Sequence, residues 1–210
     1  MKKQRFPHVL PLAVPTAILI LCFLAACGAG GGAPGATTNL EGAPEDLLKQ
    51  ILAEATASFD DDRSMPMVFY AEVTAENSQN QIGLSGADFD KYVTSASVAT
   101  AAIATFAHEA ALIRAKDAAS AAEIKKLIAA DGGYDSRKWI CVMPEKSCVI
   151  ESGNYVLLAV SRAEVVDAIV AAFTDAAGNV GEPNEFFTFD GEQPEGGGMG
   201  LSLGSGPAPL

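Results

Sequence analysis

The sequence predicts an α+β fold: a single domain with a mainly antiparallel sheet and helices packed on one face. Three observations carry that prediction. Ser147–Glu151 and Tyr155–Val160 are β-rich runs joined by Ser152-Gly153-Asn154, a hairpin composition. Leu47, Leu48, Ile51, Leu52 and Ala55 recur at helical spacing, as do Val165, Val166, Ile169, Val170 and Phe173. Read in order, the elements run α-β-(α)-β-β-α-β-β-α, which suits an antiparallel sheet with packed helices.

The first helix starts at Pro44, whose fixed φ suits a first turn, with Glu45 and Asp46 favourable beside the positive end of the helix dipole. Asp60-Asp61-Asp62 ends it. Met67, Phe69, Ala71 and Val73 alternate with Val68, Tyr70, Glu72 and Thr74, the signature of a half-buried strand. Asn77–Asn80 reads as a polar loop. Ser85 with Asp88 resembles a capping box for a short helix over Ala87–Tyr92.

Residues 87–131 hold no Gly or Pro, so propensity alone favours one long helix. Asp117 and Ser120 argue for a separate start, giving a helix over Ala118–Ala130 stopped by Asp131-Gly132-Gly133. The stretch before it reads as two strands, Val93–Val98 and Thr105–Ala115. After the hairpin, Ser161 and Glu164 form an S-x-x-E capping box for the last helix, and Gly178 supplies its stop.

The 210-residue chain is 49% hydrophobic and 19% charged, with a formal charge of −12. That sign argues against nucleic acid as a partner, because phosphates are met by Lys and Arg. The apolar content is uneven. Residues 1–26 carry Lys2, Lys3 and Arg5, no acids, and an apolar run whose unbroken core is Ala17–Leu24. That core is short of the roughly 20 residues of a comfortable membrane span and suits a secretory signal.

Leu24-Ala25-Ala26-Cys27-Gly28 follows, and it looks like a bacterial lipobox: an aliphatic residue, two small residues, then the cysteine that takes the lipid. Two acyl chains, at about 0.8 kcal/mol per buried methylene, anchor stably where one does not. The expectation is therefore a signal peptide at 1–26 and a chain held to the membrane through lipidated Cys27. It would sit on the extracytoplasmic face, the outer face in a single-membrane bacterium. Cleavage would remove three bases and no acids, taking −12 to −15. Residues 27–43 read as the lipidated cysteine with a flexible Gly/Ala/Pro tether, 44–189 as the α+β domain, and 190–210 as a disordered Gly/Pro-rich tail.

Lipobox, the run Ala111-Leu112-Ile113-Arg114-Ala115-Lys116-Asp117 and the hairpin end Gly153-Asn154-Tyr155-Val156-Leu157-Leu158 together resemble the bacterial surface lipoproteins carrying domain of unknown function 4358. The resemblance covers roughly Leu47 to Phe173. It implies a small α+β lipoprotein and no established activity, so it assigns no catalytic residue. Arg137–Val142 and the Gly-rich tail depart from the family's pattern.

Candidate chemistry is sparse. With Cys22 removed and Cys27 lipidated, Cys141 and Cys148 remain, and they form either a disulfide or two buried thiols. A bond closing so short a loop contributes about 2.5 kcal/mol in the chain-entropy account. Zinc lacks two further ligands at suitable spacing. His108 adjoins Glu109, but neighbours on a strand point to opposite faces and cannot share a proton-transfer task. The Asp60-Asp61-Asp62 run lacks the alternating oxygens, central Gly and distant Glu of a calcium loop. Trp139 reads as a core residue, and Gly196-Gly197-Gly198 precedes no helix that would hold a phosphate.

No catalytic or metal site and no cofactor is therefore expected. The leading expectation is a noncatalytic binding or interaction module at the cell surface, with an envelope protein or small ligand as partner. The alternatives are an envelope hydrolase and a passive structural lipoprotein.

Overall fold

The sheet has six strands in the order β1-β2-β3-β5-β4-β6, and every neighbouring pair is antiparallel. The structure is a computed structural model that describes residues 37–60, 65–103, 105–130 and 142–187, all within one compact unit. Its elements are α1 (Pro44–Ala57), β1 (Val68–Val73), α2 (Ser78–Ile82), α3 (Gly86–Tyr92), β2 (Val93–Ala101), β3 (Glu109–Ala115), α4 (Ala118–Ala130), β4 (Lys146–Ser152), β5 (Tyr155–Ser161), α5 (Ala163–Ala177) and β6 (Asn184–Phe187). The α+β class and the single domain stand as the sequence indicates.

Helices cover both faces of the sheet rather than one. On the first face α1 and α5 bury Leu48, Ile51, Ile169 and Phe173 against Leu112, Ile150 and Leu157. On the second, Ile124 and Ile128 of α4 pack with Ile82 and Leu84 against Ile113, Val149, Val156 and Leu158. The alternation of the pleat accounts for the split: Leu112 and Ile113, or Leu157 and Leu158, are chain neighbours that enter different cores. The middle strands are consequently buried on both sides, and all seven residues of β5 are inaccessible. Each large aliphatic residue so enclosed contributes about 1.5–3 kcal/mol.

Several local expectations hold for physical reasons. Asp117 Oδ1 accepts from the Ser120 amide at 2.7 Å and starts α4. The Ser85 hydroxyl accepts from the Asp88 amide at 3.1 Å and starts α3. Gly178, at φ 74°, ends α5 with its amide donating to the Thr174 carbonyl. Gly153, at φ 56°, closes the β4–β5 hairpin with Asn154.

Others are corrected. Asn77–Asn80 is not a loop throughout, since Ser78–Ile82 forms α2; the Ser78 hydroxyl, fully buried, donates to the Leu84 carbonyl at 2.8 Å and lies 3.1 Å from the Ala75 carbonyl. The Ser161–Glu164 capping box does not form. Ser161 is the last residue of β5, Arg162 takes the N-cap position without a side-chain bond, and the Ala163 amide donates to Glu145 instead. The second of the two expected strands begins at Glu109, with 105–108 in the connection. The edge strand β6 has no counterpart in the expectation.

Of the residues read as a tether, 27–36 lie outside the described residues and 37–43 are bound to the domain. Thr37–Ala43 runs as a strap across the domain, with Leu40 buried in the first core. Its bonds lead to one end of the sheet: the Asn39 amide donates to Ala177 and the Tyr155 hydroxyl to Gly42 at 2.8 Å. Asn179 Nδ2 donates to the Thr37 hydroxyl at 3.1 Å. Cys27, Asp61, Asp62, Trp139, Cys141 and the segment 190–210 lie outside the described residues.

Candidate functional site

The end of the sheet opposite the strap carries the unusual chemistry. Cross-strand partners in an antiparallel pair point to the same face, so one row on the α1/α5 face runs from His108, just before β3, through Ser161 of β5 to Lys146 of β4 and Phe187 of β6. His108 Nδ1 lies 3.1 Å from the Ser161 hydroxyl. Burial, reinforced by the positive charge of Arg162, pushes the His108 imidazole down to about 4. It is neutral at ordinary pH.

A serine bonded to a neutral histidine has the composition of an activated nucleophile. Its surroundings oppose that role. His108 is 0% and Ser161 2% exposed, so no substrate atom reaches the hydroxyl without opening the fold. The pair ties the β2–β3 connection to the end of β5. Glu109, also fully buried, opens β3 on the other face, as the two-residue strand period requires.

Lys146 is the hub of the row. Its Nζ donates to Asp167 Oδ1 of α5 at 2.6 Å, lies 2.7 Å from Glu185 Oε1 of β6, and sits 5.1 Å from the centre of the Phe187 ring. Burial by itself lowers the lysine, but the two carboxylates outweigh it and hold the ammonium above its usual value. The short β6 is therefore held by a cation beneath it as well as by its ladder. Lys125 of α4 plays a comparable part on the second face, pairing with Glu151 at 2.6 Å and donating to the Glu182 carbonyl.

Cys148 lies two residues along β4 from Lys146 and faces the same core. It is a free, fully buried thiol, pushed up to about 12 by burial and by the negative charge of Glu185. A thiol held protonated is neither a nucleophile nor a metal ligand. Its prospective partner Cys141 is outside the described residues. Asp60, exposed beyond the end of α1, is the described member of the acidic run. Among the described residues no three His, Cys, Asp or Glu side chains come together as a metal site.

The same end carries a feature absent from the sequence reading. Met67, Phe69, Ile103, Phe106, Val142 and Phe187 are the large hydrophobic side chains exposed among the described residues, and Met67 and Phe69 are 69% and 68% accessible. The Met67 carbonyl accepts from the Ala102 amide at 2.8 Å, which brings the start of β1 against the β2–β3 connection bearing Ile103 and Phe106. Phe187 stands opposite Lys146 in register. Met67, Phe69, Ile103, Phe106 and Phe187 therefore lie toward the end of the sheet remote from Thr37–Gly42. No family model, curated protein or solved structure matches this chain.

A Met or Phe left in water forfeits the burial energy of its side chain, and a cluster of them usually marks a surface that is covered in use. The alternating pattern of Met67 and Phe69 was visible in the sequence as one face of β1. That these side chains stay exposed among the described residues was not, because it depends on which strands and helices become neighbours.

Proposed function

We propose that this chain is a membrane-anchored extracytoplasmic lipoprotein whose domain is a noncatalytic interaction module at the cell surface. The observation that carries the reading is the polarity of the domain. Chain entry is strapped to one end of the sheet through Asn39, Thr37 and Gly42, and the exposed apolar side chains stand toward the other. A seven-residue strand such as β5 separates the two ends by about 20 Å. With Cys27 lipidated, the ten residues to Thr37 reach at most about 35 Å. The membrane would then lie on the strap side, and Met67, Phe69, Ile103 and Phe106 would face outward toward a partner protein of the envelope.

Two further points support it. The buried Ser161–His108 pair is closed to substrate, which weighs against hydrolysis there. The lipobox and the motifs Ala111–Asp117 and Gly153–Leu158 accord with the surface lipoproteins resembled above.

The test has two parts. Cys27→Ala is expected to move the protein out of the membrane fraction; retention there would overturn the lipid anchor. A photoreactive side chain at Phe106 is expected to capture one defined neighbour in intact cells, and Phe69→Asp is expected to abolish the capture without altering thermal unfolding. No capture, or capture indifferent to Phe69→Asp, would overturn the interaction surface.

A further inference from the structure

A recess lies between α1 and α5. It is a cleft of about 290 Å³ floored by Leu47 and Ile51 of α1 and Ala172 of α5, with Leu40 of the strap contributing to its wall. The cleft exists because Ala172 and Ala176, one helical turn apart, stand where larger side chains would fill the helix–helix groove. Its volume is roughly twice that of the apolar cavity of about 150 Å³ known to accept benzene, and near the lower bound of small-molecule sites.

The rim is acidic. Glu54 lies in the last turn of α1 and Asp175 in the last turn of α5, and neither helix has a basic residue in that turn. The backbone dipole makes a helix C-terminus negative, so carboxylates there are unfavourable unless a cation joins them. Among the described residues neither carboxylate has a hydrogen bond or an ion pair. Two uncompensated anions therefore border an apolar floor, with the Gln50 amide beside them.

We propose that this cleft binds a small amphiphilic organic cation, an alkylammonium whose hydrocarbon lies on Leu47, Ile51 and Ala172 and whose charged head is taken up by Glu54 and Asp175. Carboxylate and phosphate ligands are excluded by sign. A second copy of this acidic chain is disfavoured for the same reason. Because Leu40 forms part of the wall and the adjacent Asn39 amide bonds Ala177, the occupied cleft stiffens the strap. The proposal stands independently of the lipoprotein reading.

The test titrates the full chain with octylammonium, octanoate and octanol, each below its micelle concentration, by calorimetry. Octylammonium is expected to saturate a single site, octanol to bind about tenfold more weakly, and octanoate not to bind. The double variant Glu54→Gln, Asp175→Asn is expected to reduce octylammonium to the affinity of octanol. Ala176→Phe is expected to block both; these three positions are exposed, so thermal unfolding should be unchanged. Octanoate or octanol binding as tightly as octylammonium would overturn the proposal, as would no saturation at all. The comparison of ligands on the unsubstituted chain decides it even where a variant fails to fold.

Discussion

Thr38 is seated directly on Gly153: a Cβ added to the glycine would stand 2.6 Å from Cγ2 of the threonine. The hairpin turn that joins β4 to β5 is thus also the platform for the strap. Two constraints meet at one residue, because Gly153 also holds φ at 56°, where a side chain is strained.

Gly153→Ala is expected to cost about 1–3 kcal/mol, from left-handed strain together with the clash on Thr38. Urea unfolding measures the loss. Hydrogen exchange at the Asn39 and Leu40 amides is expected to accelerate more than exchange in β3, since the strap is displaced first.

The His108 imidazole makes stability depend on pH in a defined direction. Its folded value, about 4, lies below the ordinary 6.5, so the unfolded chain takes up the proton first. The contribution is whole above 6.5, is lost as pH falls from 6.5 to 4, and changes no further below that. The loss amounts to about 3 kcal/mol. Carboxylates titrate in the same range, so the measurement is the difference between the unsubstituted chain and His108→Gln, which is expected to lack this component.

Cys148 should be inert in the folded protein. Burial holds its thiol up to about 12, and its side chain has no access to solvent. Maleimide at neutral pH is expected to leave it unmodified and to label it fully in denaturant. Peptide mapping after labelling separates it from the other cysteines, and rapid labelling in the native state would contradict the buried position.

Lys146→Met keeps the length of the side chain and removes its charge, leaving Asp167 and Glu185 without their shared cation. Both carboxylates retain some contact with water, 61% and 37% by side-chain exposure, so the expected cost is moderate, about 1–3 kcal/mol. Exchange at the β6 amides is expected to rise most, because β6 is an edge strand of four residues resting on that lysine.

How far the sequence spoke can be traced residue by residue. The start of helix α4 was legible to the residue because Asp117 with Ser120 is local chemistry. The hairpin was legible from Gly153 and Asn154 for the same reason. The second helical layer was missed, although its signal was present: Ala110–Ile113 and Tyr155–Val160 are unbroken apolar runs, which a strand wet on one side does not show. The Ser161–Glu164 box failed because the Ser161 hydroxyl is drawn to His108, a residue 53 positions away. No local pattern encodes such a contact. Strand β6 and the strap have little hydrophobic periodicity, since Lys146 holds one and hydrogen bonds hold much of the other.

Of the site, the sequence conveyed that His108 and Glu109 face opposite ways, which follows from the strand period alone. It did not convey that both are fully enclosed, nor that Lys146 would gather two carboxylates from different elements. Those outcomes depend on which strands become neighbours, and β3 pairs with β5 rather than β4.

The strap has a mechanical consequence. A pull on the chain from its N-terminal side is borne first by the Asn39–Ala177, Asn179–Thr37 and Tyr155–Gly42 bonds, which can break one at a time. Peeling Thr37–Ala43 away would pay out about 20–25 Å of chain. The six-stranded sheet would not yet carry the load. Modest tension would thus free Thr37–Ala43 before it threatened the fold, and the strap would reseat on Gly153 and Gly178 when the tension is released.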